Sequence, residues 1–223
     1  MSRLYLLGGE DVKKRSSKSI MLNAVADAGP DPTALIIPWT TDWVDNEGEF
    51  RAIITEYFID LGVETVQFAE PWDPYGALSK KVREAQLVYL PGGNPQLLID
   101  RMMISRGDEI LADYDGVIVG NSAGALALCK KYAAVVGQGD AQLTRFFKGF
   151  GELNFAVAVH YRPGDDDDEH SADKELLKLS DKSNTKIYAI PEDSAIIYNR
   201  GKLDFLGPVY QFYRGNRTQC FFG

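Results

Sequence analysis

The chain has 223 residues, of which 45% are hydrophobic and 25% charged, with a formal net charge of −8. That length suits one α/β domain with a full core, and that apolar share excludes a disordered or fibrous chain. The acidic balance argues against nucleic acid and against anionic membranes as main partners.

Cys129 and Cys220 are too few for a disulfide scaffold, and Cys/His metal spacings are absent. The apolar run Leu4 to Leu7 near the amino end is too short for a signal-peptide core. No stretch approaches the roughly 20 apolar residues of a membrane span. The reading is a cytoplasmic protein.

In chain order, Leu4 to Leu7 followed by Gly8-Gly9 reads as a buried strand ending in a glycine turn. Residues 17 to 28 place Ile20, Met21, Ala24 and Val25 on one helical face. Ala34 to Ile37 is a second buried strand. Residues 47 to 62 carry Phe50, Ile53, Ile54, Tyr57, Phe58 and Leu61 as an amphipathic stripe, closed by Gly62. Val63 to Phe68 reads as a third strand, 76 to 85 as a short polar helix, and Leu87 to Leu90 as a fourth strand. Pro91-Gly92-Gly93-Asn94 then leads to Pro95, which suits the first position of a helix. A further helix near 106 to 113 precedes the strand Val117 to Val119.

This alternation predicts an α/β fold, three layers α/β/α with a mostly parallel, flavodoxin-like sheet. Reactive groups in such sheets sit at the carboxyl ends of the strands, where Gly8-Gly9, Gly92-Gly93 and Gly120-Asn121-Ser122 fall. Farther on, Phe155 to Val159 reads as a strand, Asp165 to Glu169 as a solvated acidic loop, and 172 to 181 as a helix. Ile187 to Ile190, Ala195 to Tyr198, Leu203 to Leu206 and Val209 to Tyr213 read as short strands. With no repeat and no linker, residues 1–223 read as one domain. The aromatic tail Tyr210 to Phe222 reads as core or as a subunit contact, which admits a homodimer.

The string Gly120-Asn121-Ser122-Ala123-Gly124 fits a nucleophile elbow, in which flanking glycines let a strand turn sharply into a helix and present a hydroxyl. A serine nucleophile needs a base. Of the two histidines, His160 follows a strand and shares the edge of Ser122 if that strand is parallel, whereas His170 follows the acidic run. A carboxylate should orient the imidazole. Asp140 lies between Ser122 and His160, and Glu152 and Asp193 compete with it. The N–H groups of Ala123 and Gly93 are candidate oxyanion donors. Asn94 and Arg162 are candidate substrate contacts, Arg162 through a fork of donors that suits a carboxylate.

Leu90 to Asn94, Gly120 to Ala125 and Val159-His160-Tyr161 together resemble the serine peptidases that include aspartyl dipeptidase (dipeptidase E) and cyanophycinase. Tyr188 to Ala195 is similar to that family's closing strands. The resemblance implies the fold of class I glutamine amidotransferases, with serine in place of their cysteine. It implies Ser122 as nucleophile, His160 as base, and Gly93 and Ala123 as oxyanion donors. Asp140 stands at a position comparable to the acidic member. The expected activity is hydrolysis of a peptide or isopeptide bond in a small substrate, with no metal or organic cofactor. The other readings are an esterase or amidase, and a binding protein that keeps the pocket without catalysis.

Overall fold

The computed structural model describes residues 2–42, 47–136, 143–164 and 172–221. The first half alternates as expected. It runs β1 (Arg3–Leu7), α1 (Lys18–Asp27), β2 (Thr33–Ile36), α2 (Glu47–Asp60), β3 (Thr65–Phe68), α3 (Tyr75–Glu84), β4 (Leu87–Leu90), α4 (Pro95–Ser105), α5 (Gly107–Ala112), β5 (Val117–Asn121) and α6 (Ala123–Ala127). The second half holds β6 (Lys131–Val136), β7 (Leu143–Lys148), β8 (Ala156–Val159), α7 (Ala172–Ser183), β9 (Ile187–Ile190), β10 (Ala195–Asn199), β11 (Lys202–Leu206), β12 (Val209–Tyr213) and β13 (Asn216–Cys220).

A seven-stranded sheet has the order β11-β10-β1-β5-β4-β2-β3. Strands β1, β5, β4, β2 and β3 are parallel; β10 pairs antiparallel with β1, and β11 antiparallel with β10. Strands buried on both faces send alternate residues to opposite sides. Tyr5, Leu7, Ala34, Ile36, Leu87, Tyr89, Val117 and Val119 pack with α1 and α2. Leu6, Leu35, Val88, Leu90 and Ile118, one position out of phase, pack in the core that holds Leu78 and Val82 of α3 and Leu98 and Met102 of α4. This is the mostly parallel α/β sheet expected from the alternation.

A second sheet of four strands, in the order β13-β12-β9-β8, closes the molecule. Its β8 and β9 run parallel. Val157, Tyr188 and Ile190 share the core of the first sheet, while Ala156, Ala158, Ile187 and Phe212 face Leu176 of α7. The sequence reading found most of these strands but not their division between two sheets. It also did not see the hairpin of β6 and β7 or the strand β13. Among the described residues no helix is long and apolar enough to cross a membrane.

Candidate active site

Gly8 and Gly9 at the end of β1 are the junction on which the site is built. Ser122 N–H donates to Leu7 O at 3.1 Å and His160 N–H to Gly8 O at 2.9 Å. Gly8 N–H donates to Ser194 O at 3.0 Å, and Asp193 N–H to Gly9 O at 3.2 Å. Side chains cannot be accommodated here. A Cβ on Gly8 would lie 2.1 Å from Pro191 O, and one on Gly9 would lie 2.6 Å from His160 Nδ1. The ends of β5, β8 and β9 therefore meet at a bare backbone.

Ser122 sits between β5 and α6 with φ 48° and ψ −103°. That conformation is strained for a side-chain-bearing residue, at a typical cost of about 1–3 kcal/mol, and is held by its surroundings. The flanking glycines permit the turn. A Cβ on Gly120 would lie 2.6 Å from Ala125 N, and one on Gly124 would lie 2.2 Å from Leu90 O. The hydroxyl projects toward the end of β8, and Ser122 Oγ stands 2.7 Å from His160 Nε2.

His160 Nδ1 lies 3.1 Å from Glu192 Oε1. An ionised carboxylate only accepts, so Nδ1 carries the proton and Nε2 is left to accept from the Ser122 hydroxyl. Both side chains are more than half open to solvent or close to it, at 50% and 61% exposure. An ion pair this exposed adds little to stability, so its weight lies in fixing the tautomer and ring orientation.

Glu192 is the residue the sequence reading did not select. Of the carboxylates it weighed, Asp140 lies outside the described residues, as do His170 and the acidic run 165–169. Glu152 lines a separate cavity with Ser2, Leu4 and Tyr198, toward the start of β1. Asp193 accepts from Ser17 Oγ at 3.3 Å. The signal for Glu192 was its position just past Ile187–Ile190: because β9 runs parallel to β8, both ends open onto one edge.

Gly92 and Gly93 follow β4, the neighbour of β5. A Cβ on Gly92 would lie 3.6 Å from Ser122 Cβ. Gly93 has φ 136°, and a Cβ there would lie 2.8 Å from Thr40 Cβ, so this turn requires glycine. Thr40 braces it, its hydroxyl donating to Gly92 O at 2.7 Å and its carbonyl accepting from Asn94 N–H at 2.9 Å. Among the described residues no acceptor engages the N–H of Gly93 or of Ala123. Asn94 caps α4, its Oδ1 accepting from Gln96 N–H and Leu97 N–H at 3.0 and 3.2 Å. Only its Nδ2 is left to meet a substrate. Arg162 is exposed, two residues past His160.

A cavity of about 880 Å³ lies elsewhere. Its lining includes Arg3, Gln86 and Gly116, at or before the starts of β1, β4 and β5, so it opens at the opposite edge of the sheet from Ser122. Among the described residues no group of three or more His, Cys, Asp or Glu side chains could hold a metal ion.

A hydroxyl, an imidazole and a carboxylate in one relay are the groups that hydrolases of the acyl-transfer kind use. Comparison with known families narrows this: the model of peptidase family S51 matches residues 4–206, so the chain belongs to that family and is a serine peptidase. The crystal structure of a peptidase from an acI-B1 Actinobacterium is similar in fold, with a TM-score of 0.77 at 20% identity, covering 100% of this chain and 95% of that one. A Listeria monocytogenes EGD-e protein described as a peptidase E aligns with a TM-score of 0.64 at 17% identity, over 92% of this chain and 98% of that one. No curated protein matches the chain in sequence. Family membership sets aside the reading of a binding protein without catalysis.

Proposed function

We propose that this peptidase hydrolyses a peptide or isopeptide bond in a small substrate, in the manner of a dipeptidase, with Ser122 as nucleophile and His160 as base. The observation that carries the reading is the relay Ser122 Oγ, His160 Nε2, His160 Nδ1, Glu192 Oε1, with contacts of 2.7 and 3.1 Å. Ser122 Oγ attacks the scissile carbonyl carbon while its proton passes to His160 Nε2. The N–H groups of Gly93 and Ala123 receive the oxyanion. The C–N bond then breaks, and His160 returns the proton to the leaving amine. Water, deprotonated by His160, attacks the acyl-serine and releases the acid and the free serine. Glu192 holds the imidazole and stabilises its charged form. Asp140 is a second candidate for that role.

In this reading Arg162 and the Nδ2 of Asn94 bind polar ends of the substrate, Arg162 favouring a carboxylate. A 223-residue chain read as one domain suits short substrates, the net charge of −8 weighs against nucleic acid and anionic membranes as partners, and the setting proposed is cytoplasmic. The test is intact mass after treatment with a fluorophosphonate. The expected result is a single adduct on the wild type that is lost in Ser122→Ala, followed by turnover in a dipeptide panel that includes amino-terminal Asp. An adduct that persists in Ser122→Ala would move the nucleophile elsewhere. Ester turnover without peptide turnover would favour the esterase reading.

A further inference from the structure

Two buried side-chain atoms among the described residues have no hydrogen-bond partner, Glu10 Oε2 and Asn121 Oδ1. They belong to residues in contact. Asn121 Nδ2 donates to Glu10 O at 3.4 Å and to the Tyr89 phenol oxygen at 3.3 Å. Glu10 Oε1 accepts from the Tyr57 hydroxyl. Asn121 is 4% exposed and is the last residue of β5, immediately before Ser122.

A carboxylate oxygen and an amide oxygen have no hydrogen to offer each other. With Glu10 ionised, the cluster is therefore one donor short, and a buried acceptor without a donor is costly. A proton on Oε2 supplies that donor. Among the described residues, the groups that face Glu10 are neutral or acidic: Tyr57 from α2, Tyr89 from β4, Asn121 from β5, Asp11 and the Ser17 backbone from the loop after β1, and Asp193 from the loop after β9. The Arg15 guanidinium lies over the Tyr57 ring, 5.8 Å from its centre. Burial is the largest cause that lifts the Glu10 carboxyl above the ordinary glutamate range, and Asp193 and Asp11 add to it against the Tyr57 hydroxyl and the nearby Ser17 backbone N–H.

We propose that Glu10 is a positioning residue for Ser122: it keeps a proton on Oε2 and donates it to Asn121 Oδ1, pinning the end of β5 from which the nucleophile turns. This rests on the reading of Ser122 as nucleophile. The strained backbone at Ser122 needs support on both sides, and Asn121 provides it from within the core. Ionisation of Glu10 would remove the bond.

The sign of the pH effect follows. A carboxyl whose folded pKa is raised contributes stability that is full below the unfolded glutamate range and is lost as pH rises through the folded value. Glu10→Gln keeps a donor at every pH, so its thermal stability relative to the wild type should grow as pH rises. A difference that stays flat across that range would overturn the proposal.

The deciding experiment is infrared spectroscopy of protein labelled with ¹³C at glutamate carboxyls, paired with fluorophosphonate labelling rates. At neutral pH the wild type should show a carboxylic-acid C=O band that Glu10→Gln lacks. Glu10→Gln should be labelled within a few-fold of the wild type, and Glu10→Ala roughly tenfold or more slowly. Absence of the band would mean an ionised Glu10 with the Asn121 amide turned over, and would overturn the proposal. Glu10→Ala labelled as fast as the wild type would overturn it too, leaving the Ser122 reading intact. A wild type that is not labelled at all would instead remove the Ser122 reading and the positioning role with it, while the band still reports the proton.

Discussion

At the scale of single residues, the direction of proton flow depends on Glu192. Its carboxylate can only accept from His160 Nδ1, which leaves Nε2 free for the Ser122 hydroxyl. A glutamine there could donate instead and hold the wrong tautomer. Glu192→Gln should lower kcat by about 10²- to 10⁴-fold, with the fold and melting temperature unchanged. Asp193→Asn keeps an oxygen to accept from Ser17 Oγ and leaves the His160–Glu192 contact in place, so it should stay within a few-fold of the wild type. A larger loss in Asp140→Asn than in Glu192→Gln would transfer the carboxylate role to Asp140. The sequence pointed to Ser122 through its glycine bracket and to His160 through the scarcity of histidine. It could not point to Glu192, because nothing local distinguishes that glutamate from Asp193 beside it. The distinction arises when β9 pairs parallel to β8 and turns one of two adjacent carboxylates toward the imidazole.

At the scale of elements, three consecutive residues open α4. Gly93 makes the turn, Asn94 caps the helix, and Pro95 occupies its first position, where a missing N–H costs nothing. Asn94→Ala removes the cap and should cost about 1 kcal/mol, a fall of about 2–4 °C in Tm for a domain of this size. Asn94→Ser keeps a capping oxygen but removes Nδ2. If Asn94 also binds substrate, Asn94→Ser should melt as the wild type does while its KM rises and kcat holds. An unchanged KM would leave Asn94 as a cap alone. Helices such as α2 and α4 were legible because a cap, a proline or a periodic apolar stripe marks them. The hairpin of β6 and β7 was not. Lys131-Tyr132-Ala133-Ala134-Val135-Val136 continues from an alanine-rich helix of five residues with no alternation to mark a strand. Strand β13, Asn-Arg-Thr-Gln-Cys, is polar in its first four residues, and its pairing with β12 rather than its composition makes it a strand.

At the scale of the whole molecule, the relay spans two sheets. Ser122 leaves the seven-stranded sheet, whereas His160 and Glu192 leave β8 and β9 of the four-stranded one. Which strands join which sheet is set by tertiary packing, so no local pattern in the sequence disclosed it. The packing of one sheet on the other then sets the distance between nucleophile and base. Ile187, on β9 beneath α7, and Leu78, on α3 against the first sheet, are both buried, at 0% and 1% exposure. Truncating either to alanine should cost about 2–5 kcal/mol, read as a lowered urea midpoint with an unchanged slope. Their effects on catalysis should differ. Ile187→Ala loosens the strand that leads to Glu192, and displacements near 1 Å at a reacting centre can cost on the order of 10²-fold. Leu78→Ala leaves in place the ends of β5, β8 and β9 that carry the relay. Well below the melting temperature, kcat/KM of Ile187→Ala should therefore fall at least about tenfold further than that of Leu78→Ala. Equal losses in the two variants would mean that the second sheet sets the site no more tightly than the rest of the core does.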